Sequence, residues 1–590
     1  MVLTPKFTTI NEVIHGLDGC EQYGARFIEK SGEIPYFTYH ELFSRVRSVA
    51  GTLQRLGLKK QDRVAIILPT SIHFLSTFLG IQLAGGIPAA LYPPVRLGRL
   101  TEYFIRTQRM LTKIGARFLI TDSRVRKLLG PAVESVPVLE KVMDADKLLG
   151  NDPWSPVEVN PESPAFLQFS SGTTVEPKAV CISHINLLHN LEMIAHFFRM
   201  LSDQEAKAAQ GGVCWLPLYH DMGLVGCSYI GLYYPGTVTY IGPEQFIARP
   251  RIWLQTLSRY KGVISPAPNF AYGLCLSKIK DEDMKGVDLS SWEIALNGAE
   301  PIDTEMMNRF CDRFARWGFR KEAMTPVYGL AEAGLAVSFS DFRTLPAVDE
   351  FDRDVLSEEG RAVPGKGRSL PSLGKPMIGL AVEIWDEDGT PLQDGHVGKI
   401  MVRGPSITRG YFNDPDITAS TIRDGWLDTG DLGFFHDGNL YVAGRIKDLI
   451  IVRGRNYSPQ EIEELLTGVD GMRTGCAVAV SQMVEDEGEQ LIVLAERDAR
   501  SQVSNEELIS QIEERIVTGI SLTPYHVEIL APGTLPRTSS GKMRRADALR
   551  MFQTGELLPP ERMSTLKVFK EIGKSQIAWG RFWVKRKLQG

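Results

Sequence analysis

Residues 167–180, LQFSSGTTVEPKAV, join an apolar strand-like run to a small, hydroxyl-rich turn around Gly172 and a Pro177-Lys178 pair. Those residue types suit a phosphate. Successive small residues let backbone N–H groups converge on one anion, the hydroxyls of Ser170, Ser171, Thr173 and Thr174 add donors, and Lys178 supplies positive charge. No GK[ST] follows the first glycine at the spacing of a Walker loop, which removes a P-loop kinase from consideration. Taken alone, the stretch is equally an ordinary polar turn, because Ser, Gly, Thr and Pro populate turns for local reasons.

Four further motifs carry reactive side chains, the third of them in two neighbouring segments. WLPLYHDMGL (215–224) begins with Trp215 and places His220, Asp221 and Met222 after an apolar run. VYGLAEA (327–333) sets Tyr328 and Gly329 ahead of Glu332. WLDTGDLG (426–433) offers Asp431 in a Gly-flanked turn, and GRIKDLIIVRG (444–454) soon afterwards offers Arg445. LPRTSSGKMRR (535–545) puts Lys542 after Ser539-Ser540-Gly541. Each also has a plain structural role open to it: Glu332 as a helix cap, Asp431 as a turn former, Lys542 as a solvated charge beside Arg544 and Arg545, and His220 as a partly buried imidazole. The other nine histidines show no ligand spacing, so no zinc site is expected.

The elements that must hold these residues read as α/β. The first 340 or so residues alternate short apolar runs with amphipathic stretches, the rhythm of a mostly parallel sheet. Residues 64–95 contain no Asp, Glu, Lys or Arg. Pro69, Gly80, Gly85, Gly86 and Pro88 interrupt them, so two buried strands (VAIIL, PAALY) around a helix are expected, in place of a membrane span. Residues 186–201 have helical spacing behind the hydroxyl-rich turn. Residues 342–369 break the rhythm with a polar, charge-mixed stretch, expected as an insertion or exposed loop. Residues 382–403 return to strands separated by DEDG and QDGHVG, a small antiparallel unit. From about Asp448 a separate module begins, with a helix at 459–466, strands near 476–480 and 490–495, and a helix from Asn505 capped by Ser504 and Glu507. The last 35 or so residues, with Trp579, Phe582 and Trp583 among basic side chains, are expected to form a docking tail.

Composition bounds the class. The chain has 590 residues, 43% apolar and 23% charged, with a formal net charge of −5. These values describe a globular protein with a sizeable core, and nothing basic enough for nucleic acid. Seven dispersed cysteines with no CxxC argue against a disulfide framework and for a reducing, cytoplasmic setting. The opening MVLTPKFTTINEVIHGL has neither an apolar h-region nor a cleavage site, so no targeting segment is expected.

In this order and at these separations, the five motifs resemble the adenylate-forming superfamily of acyl-CoA synthetases, luciferases and peptide-synthetase adenylation domains. The resemblance runs from about Tyr39 to Arg545. It implies a large N-terminal domain of parallel sheets in αβαβα layers with a small barrel-like unit, residues 1–444. A small mobile α+β C-terminal domain, 445–590, would carry Lys542. It also implies ATP and Mg²⁺, and attack of a carboxylate on the α-phosphate to give acyl-AMP and pyrophosphate. Anion meets anion there, so catalysis must come from positioning and charge neutralisation.

By that resemblance, the 170–178 loop holds the β/γ-phosphates and Glu332 ligates Mg²⁺. Tyr328, followed by Gly329, stacks on adenine, with the backbone of Asn297, Gly298, Ala299 and Glu300 on the other face. Asp431, helped by Arg445, accepts the ribose hydroxyls, and Lys542 reaches the α-phosphate and carboxylate oxygens. Two departures stand out: Val175 and Ala179 occupy positions where glycine is common, so that Val175 especially would be strained if the loop needs φ > 0 there, and Pro326 stands where Asn often binds the adenine amino group.

LYPPVR (91–96), LYHDMGLVG, SPAPNFAYGLC (265–275), DLSSWEIALNGAEP (288–301) and PSLGKP (371–376) resemble the fatty acyl-AMP ligase branch. In that branch an insertion after the Glu332 motif packs on the C-terminal module and hinders its swing to a CoA site. The acyl group goes to the phosphopantetheine of an acyl carrier protein, usually of a polyketide or peptide synthase. Lys447 matches the hinge position, with a plain surface lysine equally open to it. The fatty acid would lie near 215–222, 225–231 and 268–272, putting Trp215, His220, Asp221, Met222, Asn269 and Phe270 against substrate. A fatty acyl-CoA ligase and a non-catalytic acyl-nucleotide scaffold are the competing functions.

Overall fold

The charge-free run at 64–95 becomes strand Arg63–Ile67, helix Ile72–Leu83 and strand Ile87–Ala90. This is seen in a computed structural model that describes residues 3–94, 100–169, 177–201, 211–452, 455–484, 488–538, 542–559 and 565–589. Ser71 caps the helix by accepting from Phe74 N–H at 3.3 Å, and the helix is buried on almost every side. Full burial explains the lack of charge: the sheet is covered on both faces. No described helix is long and apolar enough to cross a membrane.

Those strands belong to a six-stranded sheet ordered Lys141–Asp144, Phe118–Thr121, Arg63–Ile67, Ile87–Ala90, Pro164–Phe169, Ala179–Ser183. Pairing is parallel up to the last strand, which returns antiparallel on Pro164–Phe169. Pro164–Phe169 and Ala179–Ser183 are consecutive antiparallel partners, and helix His184–Leu201 starts only after the second of them.

A second, nine-stranded sheet runs Lys375–Pro376, Ala336–Phe339, Met324–Gly329, Ile294–Asn297, Ile264–Ala267, Gly212–Cys214, Val238–Ile241, Gly24–Ile28, Tyr36–Thr38. Its six central strands are parallel and its edges antiparallel. The two sheets and their helices share one large apolar core containing Trp253, Trp292, Phe74 and Phe166. Strands Ala381–Trp385, Gly398–Arg403, Ile422–Arg423, Trp426–His436 and Asn439–Arg445 form the antiparallel unit. The smaller C-terminal part has strands Met472–Val484, Gly488–Arg497 and His526–Leu530, covered by helices Pro459–Leu465 and Asn505–Ile520 over a core of its own.

Residues 342–369 are not an exposed loop. They supply most of a hairpin, Val348–Asp352 with Gly367–Pro371, whose Phe351 is fully buried against Phe434 and Tyr441 at ring distances of 5.0 and 5.5 Å. The polar sequence conceals this because its small apolar set (Phe351, Leu356, Ala362, Leu370) is dispersed through the segment.

The C-terminal tail is helix Thr565–Gln589, which returns to the N-terminal part. Ser575 Oγ accepts from Gly130 N–H at 2.9 Å, Trp579 Nε1 donates to Arg126 O at 3.0 Å, and Phe582 is 1% exposed. A Cβ on Gly130 would lie 2.2 Å from Ser575 O, so glycine permits the approach.

His184, at the start of the helix behind the hairpin, is buried and accepts from Ile10 N–H at 3.2 Å through Nδ1. Burial lowers its pKa from 6.5 to about 4, so the imidazole is neutral in the folded chain at neutral pH. A folded pKa below the unfolded one means stability is intact above pH 6.5 and is lost as pH falls through 4, about 3 kcal/mol in all. In His184→Asn, where Oδ1 replaces the acceptor, thermal denaturation followed from pH 7 to pH 4 is expected to decline less steeply.

Candidate active site

The carboxyl ends of the parallel strands supply the site, as the open α/β sheet dictates. Trp215 follows Gly212–Cys214, Asn269 and Phe270 follow Ile264–Ala267, Asn297 to Glu300 end and follow Ile294–Asn297, and Tyr328 and Gly329 close Met324–Gly329. All but Asn297 and Gly298 of these, together with Lys178, His220, Asp221, Met222, Glu332, Asp431, Arg445 and Lys542, line one cleft of about 1890 Å³. Asn297 and Gly298 sit just behind it. Ser170, Ser171, Gly172, Thr173, Thr174 and Val175 lie outside the described residues.

Asp431 is the most constrained of the charged groups. Trp426–His436 pairs with Asn439–Arg445 in the register that sets Asp431 opposite Arg445. Arg445 Nε donates to Asp431 Oδ1 at 2.8 Å and Tyr328 Oη donates to Oδ2 at 2.7 Å. Burial raises the Tyr328 pKa well above 10, with the Asp431 charge adding to it, so the phenol remains a donor. Tyr328 is thus tied by its hydroxyl while its ring lines the cleft.

Glu332 lies in a short 3₁₀ turn, Ala331–Ala333, and accepts from Tyr411 Oη at 2.9 Å. Burial raises its pKa, and the Tyr411 hydrogen bond opposes this. Tyr411 also lies beneath Lys178, whose Nζ is 5.4 Å from the ring centroid. Burial lowers the Lys178 pKa, as does Lys447 nearby, while Glu332 and Asp414 pull it up. The sequence offered no sign of Tyr411: it follows Gly410 in a stretch without periodicity, and only the fold sets it between Lys178 and Glu332.

His220 and Asp221 open a short helix, Asp221–Gly223. His220 Nδ1 is 2.6 Å from Asp221 Oδ1, and Met222 N–H donates to Asp221 Oδ1 at 2.7 Å. Burial pushes the Asp221 pKa up, but His220, Lys542 and the Met222 N–H outweigh it and hold it at about 2. Glu300 accepts from Phe270 N–H at 2.6 Å, capping helix Asn269–Lys278, and burial raises its pKa. Trp215 is stacked on Phe246 at 3.9 Å, and its buried Nε1 has no partner among the described residues.

Lys542 joins this group from the C-terminal part. Its N–H donates to Thr538 Oγ1 at 3.0 Å and its carbonyl accepts from Thr538 N–H at 2.8 Å. Burial lowers the Lys542 pKa, with Asp221, Glu300 and Asp431 opposing and Arg445 reinforcing. One cation thus interacts with three carboxylates from three different motifs.

Strain is absent from Ala179, which begins strand Ala179–Ser183 without a positive φ. Among the described residues that line the cleft, the left-handed non-glycine one is Ala299, at φ 67°. It follows Gly298, where a Cβ would meet Val327 at 2.6 Å. A non-glycine held in that region, at the end of a central strand and inside the cleft, is the kind of strain that accompanies a binding site. Pro326 pairs with Asn297 across the strands, and its carbonyl accepts from Ser340 Oγ at 2.9 Å.

The cleft continues into an apolar cavity of about 550 Å³. Phe198, Gly226 and Pro266 line both, and Val213, Cys227, Ile230 and Phe342 line the extension. Of the expected tunnel segments, 225–231 lines the inner cavity, whereas 215–222 and 268–272 lie on the cleft side.

The strand ends thus gather a tyrosine-bridged aspartate, a part-buried glutamate and a lysine from the C-terminal part at one cleft, in a fold shared with AMP-forming ligases. Residues 21–412 match the AMP-binding enzyme family, and the chain belongs to it. It is 33% identical over 551 residues to the medium-chain-fatty-acid–[acyl-carrier-protein] ligase JamA of Moorena producens, covering 89% of this chain and 91% of that protein. It is 33% identical over 546 residues to the long-chain-fatty-acid–AMP ligase FadD28 of Mycobacterium tuberculosis, covering 88% and 92%. A structure from work on the fatty acyl-adenylate ligases of E. coli and L. pneumophila superposes with a TM-score of 0.86 at 34% identity, covering 94% of this chain and 99% of that one.

Proposed function

We propose that this protein is a fatty acyl-AMP ligase, which activates a fatty acid with ATP and passes the acyl group to the phosphopantetheine thiol of an acyl carrier protein. The observation that carries this is that Lys542, Asp221, Glu300 and Asp431 line one cleft, which shares Phe198, Gly226 and Pro266 with an adjoining apolar cavity. Similarity to JamA and FadD28 supports the acid and the carrier.

In this reading the alkyl chain lies in the apolar cavity and its carboxylate faces Lys542. Tyr328 and the Asn297 to Glu300 turn hold adenine, and Asp431 takes the ribose hydroxyls while Arg445 and Tyr328 fix its orientation. A carboxylate oxygen attacks the α-phosphorus, the bond to the oxygen that bridges the α- and β-phosphorus breaks, and pyrophosphate leaves toward Lys178. Lys542 offsets the charge that gathers between the two anions, in a site where burial strengthens the interaction. His220 holds Asp221 ionised, and so keeps a counter-charge beside Lys542.

Mg²⁺ fits the donor set. No cluster of three metal-ligating side chains exists among the described residues, and Mg²⁺ needs one or two carboxylates because phosphate oxygens and waters complete its shell. Glu332 is the residue that would hold it, and bound there it would neutralise phosphate charge.

The domains divide at 444/445, with Lys447 at the hinge. Arg353 of the 348–371 hairpin forms an ion pair with Glu461 at 2.7 Å, and its guanidinium also bonds Gly519 O. From the other side Arg455 pairs with Glu358 at 2.6 Å. These contacts hold the C-terminal domain in the adenylate-forming position and favour a carrier protein over CoA. The seven free cysteines suit the cytosol.

The test is incubation with ATP, Mg²⁺ and acids of graded length, followed by product identification with CoA or carrier protein. Pyrophosphate release and acyl transfer to carrier protein alone are expected; efficient acyl-CoA synthesis would make it an acyl-CoA ligase. In Arg353→Ala/Arg455→Ala, acyl-CoA formation is expected to rise severalfold while acyl-AMP formation holds. An unchanged CoA rate would mean the hairpin is no restraint.

A further inference from the structure

Helix Thr565–Gln589 has a second face that the packing against the N-terminal part leaves outside. Ser575, Ala578, Trp579, Phe582 and Arg586 form the inner stripe, at spacings of 3 and 4 residues. On the opposite side stand Phe569, Ile577 and Val584, 65, 61 and 60% exposed. Beside them Gly573 and Gly580 leave open space. Along one flank of this ridge run Lys570, Lys574, Arg581 and Lys585, all exposed. Lys574 and Arg581 pair with Glu571 and Glu134 at 2.6 and 3.4 Å, with both cations more than half exposed. Such surface pairs contribute little and exchange readily for another anion.

We propose that this helix is a docking face for an anionic lipid surface, on which the enzyme rests without spanning the bilayer. A helix with exposed aromatic and aliphatic side chains along one line and lysines beside it is the composition of interfacial helices, whose apolar side enters the headgroup region while the cations meet lipid phosphates. From Phe569 to Val584 the ridge extends for about 22 Å at 1.5 Å per residue. The cationic flank stands out from a chain of net charge −5, which localises any attraction to this face. A second copy is the poorer occupant, because stacking two such helices would oppose like charges.

The fold ties this face to the rest of the protein. The helix packs on Gly130–Val133, which also contacts helix Leu100–Lys113, and Tyr103 and Arg106 of that helix line the cleft. The inference does not depend on the proposed activity, since it rests on the outer face alone.

The full chain is mixed at low salt with vesicles of phosphatidylcholine alone or of equal parts phosphatidylcholine and phosphatidylglycerol, and sedimented. Binding to the mixed vesicles is expected to exceed that to neutral ones by on the order of tenfold or more, and to fall with salt. Ile577→Asp/Val584→Asp, which removes the apolar ridge, and Lys570→Glu/Lys585→Glu, which reverses the flank, should each abolish that preference. Both should keep the wild-type Tm and acyl-AMP formation from a soluble short-chain acid, so a folding defect is distinguished from lost docking. Equal sedimentation with both vesicles, or wild-type binding by the Ile577→Asp/Val584→Asp variant, would overturn the proposal. So would a wild-type dimer that dissociates in that variant, or an acidic carrier protein that needs this face while vesicles do not.

Discussion

Lys542→Ala is expected to reduce acyl-AMP formation by on the order of 10²–10³, the loss that follows removal of one preorganised charge or donor from a buried transition state. The loss should fall on kcat, because the ammonium acts on charge that develops as the carboxylate meets the α-phosphorus. Pyrophosphate exchange with saturating ATP and fatty acid reads this directly. Lys542→Arg keeps the charge but replaces a compact ammonium by a planar fork, so recovery should be partial. The pH profile gives an independent check. Burial lowers the Lys542 pKa below its ordinary 10.5, and the protonated form is the active one. Rate should therefore be present below that lowered pKa and fall as pH rises through it, at a lower pH than a solvated lysine would give. That alkaline limb should vanish in Lys542→Ala. A variant with wild-type kcat would remove Lys542 from the chemistry.

Asp431→Asn is expected to lower kcat/KM for ATP by about 10²–10³. A hydrogen bond to a charged group contributes about 1.5–3 kcal/mol, and the substitution weakens those offered by the ribose hydroxyls. It also disturbs the enzyme itself. Asp431 is 6% exposed and accepts from both Tyr328 and Arg445, so an amide would turn an N–H₂ group toward one of them. Tyr328 would lose its fixed ring position, and adenine its platform. KM for ATP should rise far more than KM for the fatty acid, and direct nucleotide binding should weaken in parallel. A loss shared equally by both substrates would mean that Asp431 supports the fold only.

Much of this site was legible in the sequence because its residues are carried on motifs whose local chemistry is visible: hydroxyls and glycines for a turn, TGD for a carboxylate, SSGK for a presented lysine. The parallel strands were legible because burial on both faces excludes charge, as residues 64–95 show. Three features were not. Strain at Val175 or Ala179 was expected only if a former glycine position needed a positive φ; Ala179 lies in a strand, and in the cleft it is Ala299 that takes the left-handed conformation. Nothing in the letters NGAE distinguishes a strained alanine, since the conformation is imposed by strand Ile294–Asn297 ending against Val327. The hairpin at 348–371 was hidden because few of its residues are apolar, and the cluster that buries its Phe351 is completed by Phe434 and Tyr441, far along the chain. Tyr411 was missed because a tyrosine after glycine is unremarkable until Glu332 and Lys178 are brought to it.

By itself, the sequence determined the α/β class, the order of the motifs and the chemical character of each reactive group, because these follow from local composition and periodicity. The tertiary structure decided which groups meet. Strand register set Asp431 against Arg445, the closing of parallel strands brought Trp215, Asn269, Glu300 and Tyr328 to one cleft, and the docked C-terminal part placed Lys542 among carboxylates more than a hundred residues away. Those pairings are long-range, and a residue's local sequence carries no record of the partner that burial and register will give it.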